Sequence, residues 1–282
     1  MRTLNAMLPV NAARSGGLQR RSLLLAALAL PSLAARAQLS DMGEAINRAG
    51  RQRMLSQRMG KAWLALVHGV EVARAQQVLD SSMALFERQL VELKAFAGSE
   101  EIRATYTALD AAWVGYKTAL VGKVPARANA ASVLQHSSAV LALAHQGTQQ
   151  YEAALGKPLG KLVNVAGRQR MLSQRMALYY LAARLPNASG VDASQAVAEI
   201  KRASTEFVSA MVLLRQAQQS TSRIQDALQL ADGQWVFFEA ALKRVEVVQA
   251  DLGRPLSEVF TASENLLSVM DSVTGLYAAQ RA

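Results

Sequence analysis

"AGRQRMLSQRM" spans residues 49–59, and the same eleven letters return at residues 166–176. A verbatim repeat at an offset of 117 calls for the rest of the copy, and the copy continues downstream. Leu79, Met83, Phe86, Leu90 and Leu93 align with Ile200, Ser204, Phe207, Met211 and Leu214 at an offset of 121. Ile102, Tyr106, Leu109, Trp113, Tyr116 and Leu120 align with Ile224, Leu228, Ala231, Trp235, Phe238 and Leu242 at 122. Leu134, Leu141, Thr148 and Tyr151 align with Phe260, Leu267, Thr274 and Tyr277 at 126. Steps of three and four residues place such side chains on one stripe of a helix and mark the seam of a bundle. The pattern predicts four helices per copy and an all-α protein of two tandem antiparallel four-helix bundles, because short connections make sequential helices antiparallel neighbours.

The breaks between helices fall at "HGV" (68–70), "AGSEE" (97–101), "GKVPAR" (122–127) and "GKPLG" (156–160). In the second copy they fall at "LPNASGVD" (185–192), "QQSTS" (218–222) and "DLGRPLS" (251–257). Glycine stops a helix and proline opens one. The repeat offset grows only at these junctions, as insertions in loops make it do. Pro158, following Lys157, implies at least a kink there and sets the boundary between a first bundle, 38–157, and a second, 158–282. With 282 residues, 51% of them hydrophobic, the chain has enough apolar surface for a sizeable core. There is no cysteine, so packing alone must hold the fold.

Residues 1–37 stand apart. Arg20 and Arg21 precede an apolar run, Leu23 to Leu33, and then Ala35-Arg36-Ala37. This is the layout of an export signal, twin-arginine-like, with cleavage near Ala37 and a periplasmic product; an ordinary Sec signal is the alternative. The apolar run falls short of the roughly 20 residues that span a bilayer, and no other stretch predicts a stable membrane span. Removing the segment takes five arginines and no acid, so the formal charge drops from +10 to +5. The basic pI therefore does not imply a nucleic-acid partner, which needs a patterned basic face.

On a helix, Asn47, Gly50, Arg51, Met54 and Arg58 share one side, and Ala49, Gln52, Arg53, Ser56 and Gly60 another. The second row is mostly small, which lets another helix approach closely and trap Arg53 in the contact. Ala166, Gln169, Arg170, Ser173 and Ala177 repeat it. Residues 45–70 contain five Lys or Arg and no acid, and residues 153–191 contain six and none. Two guanidinium groups about 6 Å apart would repel by roughly 3 kcal/mol at an effective dielectric of about 20. A bound anion would remove that cost, and coplanar N–H donors in a fixed fork suit a planar oxyanion. The competing reading is a solvated arginine face, or arginines paired with carboxylates from other helices; it fits Arg48, which becomes Val165, and in part Arg51 and Arg58.

"INRAGRQRMLSQRM" and "VNVAGRQRMLSQRM" resemble the signature of the PilJ-type sensor domain at the N-terminus of type IV pili chemotaxis transducers. They are also similar to the P-box of NarX-type periplasmic nitrate/nitrite sensor kinases. The resemblance implies four-helix bundles that hold nitrate between first helices. Carried over, it makes Arg53 and Arg170 the anion-contacting arginines, Gly50 and Gly167 their glycines, Arg58 and Arg175 the second arginines, and Asn47 and Asn164 the motif asparagines. Arg51 and Arg168 are extra charges relative to the nitrate-sensor pattern, which points to a larger or more negative ligand, or to none. No kinase or methyl-accepting coiled coil follows the bundles, so signalling is expected to need a partner.

Other chemistry is poorly represented. His68, His136 and His145 are the only histidines and lack metal-ligand spacing. There is no Ser-His-Asp pattern and no glycine-rich phosphate loop after a strand, so neither an enzyme nor a cofactor is expected. Trp113 and Trp235 read as core, and Met54, Met59, Met171 and Met176 as gap-filling residues beside a close helix contact. Two functions follow from the sequence. One is a periplasmic binder of a small oxyanion, nitrate or nitrite first. The other is an adaptor for an envelope sensor or pilus-linked receptor, in which the arginines hold helices. Pairing of the motifs within one chain and pairing between the chains of a homodimer both satisfy the pattern.

Overall fold

Several helices start or stop where the sequence supplies a cap. Asp41 accepts the Glu44 N–H (2.8 Å) to open α1, Met42–His68. Gly69, in the left-handed conformation at φ 69°, closes it by donating to carbonyls of the last turn. α2 is Val72–Phe96. Ser99 caps α3, Glu100–Val121, through the Ile102 N–H, and a short 3-10 turn leads into α4, Ala130–Leu155. Gly156 (φ 63°) ends α4, and Pro158 occupies the first turn of α5, Pro158–Ala183, where its missing N–H costs nothing. Asp192 caps α6, Ala193–Gln216, and Thr221 caps α7, Ser222–Leu242. A 3-10 turn, Lys243–Glu246, follows α7, and α8 is Gly253–Ala278. These positions come from a computed structural model that describes residues 41–185, 189–246 and 253–280. The expected export segment, 1–37, lies outside the described residues, as do parts of the breaks at 185–192 and 251–257.

The fold is all-α, two tandem helical bundles, with no strand among the described residues. α1 packs on α2 and α4, and α3 on α4; in the second copy α5 packs on α6 and α8, and α7 on α8. The ladder residues supply the core. Leu79, Phe86, Leu90 and Leu93 on α2 are buried, as are Ile200, Phe207, Met211 and Leu214 on α6. Each such apolar side chain contributes about 1.5–3 kcal/mol relative to exposure. The internal detail repeats too. Phe86 lies against Trp113 (ring centroids 4.5 Å) and Phe207 against Trp235 (4.6 Å). Tyr151 donates to the Leu93 carbonyl (2.8 Å), and Tyr277 to that of Leu214 (3.2 Å), its equivalent.

The most extensive helix contact joins the copies: α1 lies against α5. A Cβ on Gly160 would touch Ile46, Arg170 reaches Asn47, Arg53 reaches Asn164, Arg175 reaches Gln57, and His68 reaches Leu181. Both numbers climb together, so α1 and α5 run parallel and equivalent residues meet at one level. The described residues form one compact unit around this seam. No described helix is long and apolar enough to cross a membrane.

Candidate functional site

The small-residue row of the motif is the seam. Ala49, Gln52, Arg53 and Ser56 on α1 are fully buried, as are Ala166, Gln169, Arg170 and Ser173 on α5. The low side-chain bulk of Gly50 and Gly167 makes room for the two guanidinium groups. A Cβ on Gly50 would stand 3.1 Å from Arg53 Nη2 and 3.5 Å from Arg170 Nη2; on Gly167 it would stand 3.1 and 3.7 Å from the same atoms, Arg170's being the nearer. The guanidinium groups therefore lie side by side across the seam. Each reaches over it to the other copy: Arg53 Nη2 donates to the Asn164 carbonyl (3.2 Å) and Arg170 Nη2 to the Asn47 carbonyl (3.0 Å). The asparagines thus meet the arginines through their backbones. Their amides turn away, Asn47 to Glu44 and Asn164 to Glu152. The Nε of each arginine is buried with no partner among the described residues.

The pseudo-symmetry ends at Nη1. Arg170 Nη1 donates to Asp271 on α8 (2.5 Å), whereas Arg53 Nη1 meets Nδ1 of His145 on α4 (3.2 Å). The offset of 126 that relates α4 to α8 makes His145 and Asp271 equivalent positions. The absence of acids near the motif in sequence led to an expectation that both arginines lack a carboxylate; for Arg170 this is corrected, because α8 delivers Asp271 from 101 residues away. Arg53 has none within bonding distance among the described residues. Burial, then Arg168 and Arg170, hold the Arg53 pKa down at about 9. Burial lowers that of Arg170 to about 10, with Asp271 opposing. Both remain cations at neutral pH.

An arginine donates every N–H, so His145 Nδ1 must accept, which puts the imidazole proton on Nε2 and leaves the ring neutral. Burial first, then Arg53 and Arg168, lower its pKa to about 4. His145 also lines an open cleft of about 300 Å³ between α4, α5 and α6, together with Ser138, Arg168, Arg175, Glu199 and Glu206.

The outer arginines of the motif are all engaged by acids from other helices. Arg51 shares Asp271 with Arg170 (3.0 Å). Arg58 and Lys61 share Glu264 on α8, at 2.5 and 2.6 Å. Arg168 binds Glu206, and Arg175 binds Glu199 (2.7 Å), both on α6. Reading α4 against α8 at the same offset sets Ser138 opposite Glu264, and reading α1 against α5 sets Lys61 opposite Leu178. A buried ion pair therefore bridges α1 of the first copy and α8 of the second, while the symmetry-related positions on α5 and α4 hold Leu178 and Ser138. Asp271, Glu264 and Lys61 were not singled out from sequence, and His145 was weighed there only as a metal ligand. The signal was present in the repeat register, which aligns an acid with a histidine and another acid with a serine. Among the described residues no cluster of His, Asp and Glu could hold a metal ion.

Neither a curated protein nor a solved structure matches the chain. The sequence profile described as "PilJ: Type IV pili methyl-accepting chemotaxis transducer N-term" matches residues 34–141 and again residues 156–255. Those two segments each contain one arginine motif, and together they cover well over half of the chain. With helical bundles repeated twice around a shared motif seam, the chain belongs to the PilJ family, in two tandem copies.

Proposed function

We propose that this PilJ-family chain is a periplasmic sensory module that binds a small oxyanion, nitrate or nitrite first, at the Arg53–Arg170 pair, without converting it. The observation that carries the reading is the imbalance at the seam: two fully buried guanidinium groups lie side by side, and only one of them, that of Arg170, bonds a carboxylate, Asp271. Isolated buried charge is costly, and a guest anion relieves it. Gly50, Gly167 and the carbonyls of Asn47 and Asn164 keep the pair in place; Arg51, Arg58, Arg168 and Arg175 form an outer ring whose carboxylates set the surrounding field. An ion at this seam favours one relative packing of α1 and α5, and a partner in the envelope reads the shift.

Melting of the purified chain across nitrate, nitrite, sulfate, phosphate and chloride tests this. Mass action requires the melting temperature to climb with the concentration of a ligand that binds only the folded state, and Arg53→Ala should abolish the climb. A second reading, an adaptor that docks on a receptor without any ligand, is favoured by the outer arginines, each already holding an acid. It predicts that no anion moves the melting temperature in either protein.

A further inference from the structure

The two copies differ in charge where they touch the buried arginines. On the α8 side, Asp271 and Glu264 neutralise Arg170, Arg51, Arg58 and Lys61 in place. On the α4 side the same two register positions hold His145 and Ser138, and both line the open cleft. We propose that the chain holds a single small oxyanion, on the α4–α5–α6 side only, against His145 and Arg168 in front of Arg53, because Asp271 is a carboxylate built into the corresponding place on the other side. This rests on the oxyanion reading above and narrows it to one ion per chain at one location.

Four observations converge on that place. Arg53 is fully buried, has no carboxylate within bonding distance among the described residues and leaves Nε without a partner. His145 turns Nδ1 to Arg53, so its protonated Nε2, which has no hydrogen-bond partner among the described residues, is the donor left for the cleft. An anion accepting from Nε2–H strengthens the bond His145 accepts from Arg53, since chained hydrogen bonds polarise one another. Arg168, which bears on the charge of both Arg53 and His145, gives Nε and Nη2 to Glu206 and keeps further N–H donors. Finally, the groups lining or backing the cleft are unbalanced: Arg53, Arg168, Arg175 and Arg202 outnumber Glu199 and Glu206, with Glu152 of α4 the one further acid that bears on Arg53. The other copy solves the same problem with Asp271, which Arg170 and Arg51 share as they would share an oxyanion.

The test is nitrate titration calorimetry with thermal melts on the wild-type chain and His145→Asp, with the His145 imidazole signal followed by NMR. The expected result is one nitrate per chain and a shift of the His145 resonance on binding. His145→Asp should weaken nitrate by roughly tenfold or more and melt higher than wild type in nitrate-free buffer, because the new carboxylate serves Arg53 as Asp271 serves Arg170. Two ions per chain, a His145→Asp chain that responds to nitrate like wild type, or one that melts lower than wild type overturns the one-sided site and leaves the oxyanion reading standing. A wild-type chain that binds none of nitrate, nitrite, sulfate or phosphate overturns the oxyanion reading itself.

Discussion

Lys61 has no exposed surface and ends on Glu264 (2.6 Å) and Ser263 (2.9 Å), while its counterpart in the other copy is Leu178. Burial lowers its pKa to about 8. Burial would raise that of Glu264, but Lys61 and Arg58 outweigh it and hold the carboxyl at about 2. Removing one partner strands a buried charge, so Glu264→Ala should cost about 3–5 kcal/mol in urea unfolding. Replacing both, Lys61→Leu with Glu264→Ser, installs the residues of the symmetry-related positions, Leu178 and Ser138, and should recover most of that loss. His145 makes a separate prediction in pH. Its folded pKa of about 4 lies below the ordinary 6.5 because of burial and of Arg53 and Arg168, against a smaller pull from Glu206. Between those values the unfolded chain binds a proton that the folded chain refuses. This contribution is therefore complete above about pH 6.5 and is lost as the pH falls toward 4. Melts across that window should decline, and His145→Gln, whose amide oxygen still accepts from Arg53, should remove that part of the slope. Glu264 and Asp271, both lowered, act in the same direction at more acid pH.

At the scale of helices, glycines of one kind have opposite consequences according to what they face. Gly50 and Gly167 sit where a Cβ would press on guanidinium nitrogens already held by the carbonyls of Asn164 and Asn47. Gly50→Ala and Gly167→Ala should each destabilise the fold by about 1–3 kcal/mol, the usual cost of overpacking. Gly233 on α7 is exposed and faces open space. Gly233→Ala should stabilise by about 0.5–1 kcal/mol, since alanine loses less backbone freedom in a helix; chemical denaturation of the three variants checks the ordering. The sequence made the helices legible because their ends are punctuated locally: Gly69, Gly156 and Pro158 terminate or start helices where glycine and proline chemistry demands. It also made the seam legible, because a row of Ala, Ser and Gly beside Arg53 has one good use. What it concealed were the acids. Asp271 and Glu264 lie on α8, over two hundred residues from Arg51 and Arg58, and Glu206 lies on α6. Local charge runs carry no information about contacts made through folding, so only the register between copies could have revealed those partners.

For the molecule as a whole, the α1–α5 seam replaces what would otherwise be an interface between two subunits. The fragments 38–157 and 158–282 each present a seam face carrying a fully buried arginine, Arg53 or Arg170, and neither fragment can cover it alone. Expressed together as separate chains, the fragments should assemble one to one; expressed alone, each should self-associate or precipitate. Light scattering on the purified fragments distinguishes these outcomes. The covalent join does more than hold the halves together. A dimer of identical chains must change both of its halves whenever its gene changes, so neither side can acquire a private histidine or a private salt bridge. Two copies in one chain are free of that constraint. With Asp271 sealing one flank and His145 leaving its twin ajar, the molecule has a front and a back, and whatever docks on it can tell them apart.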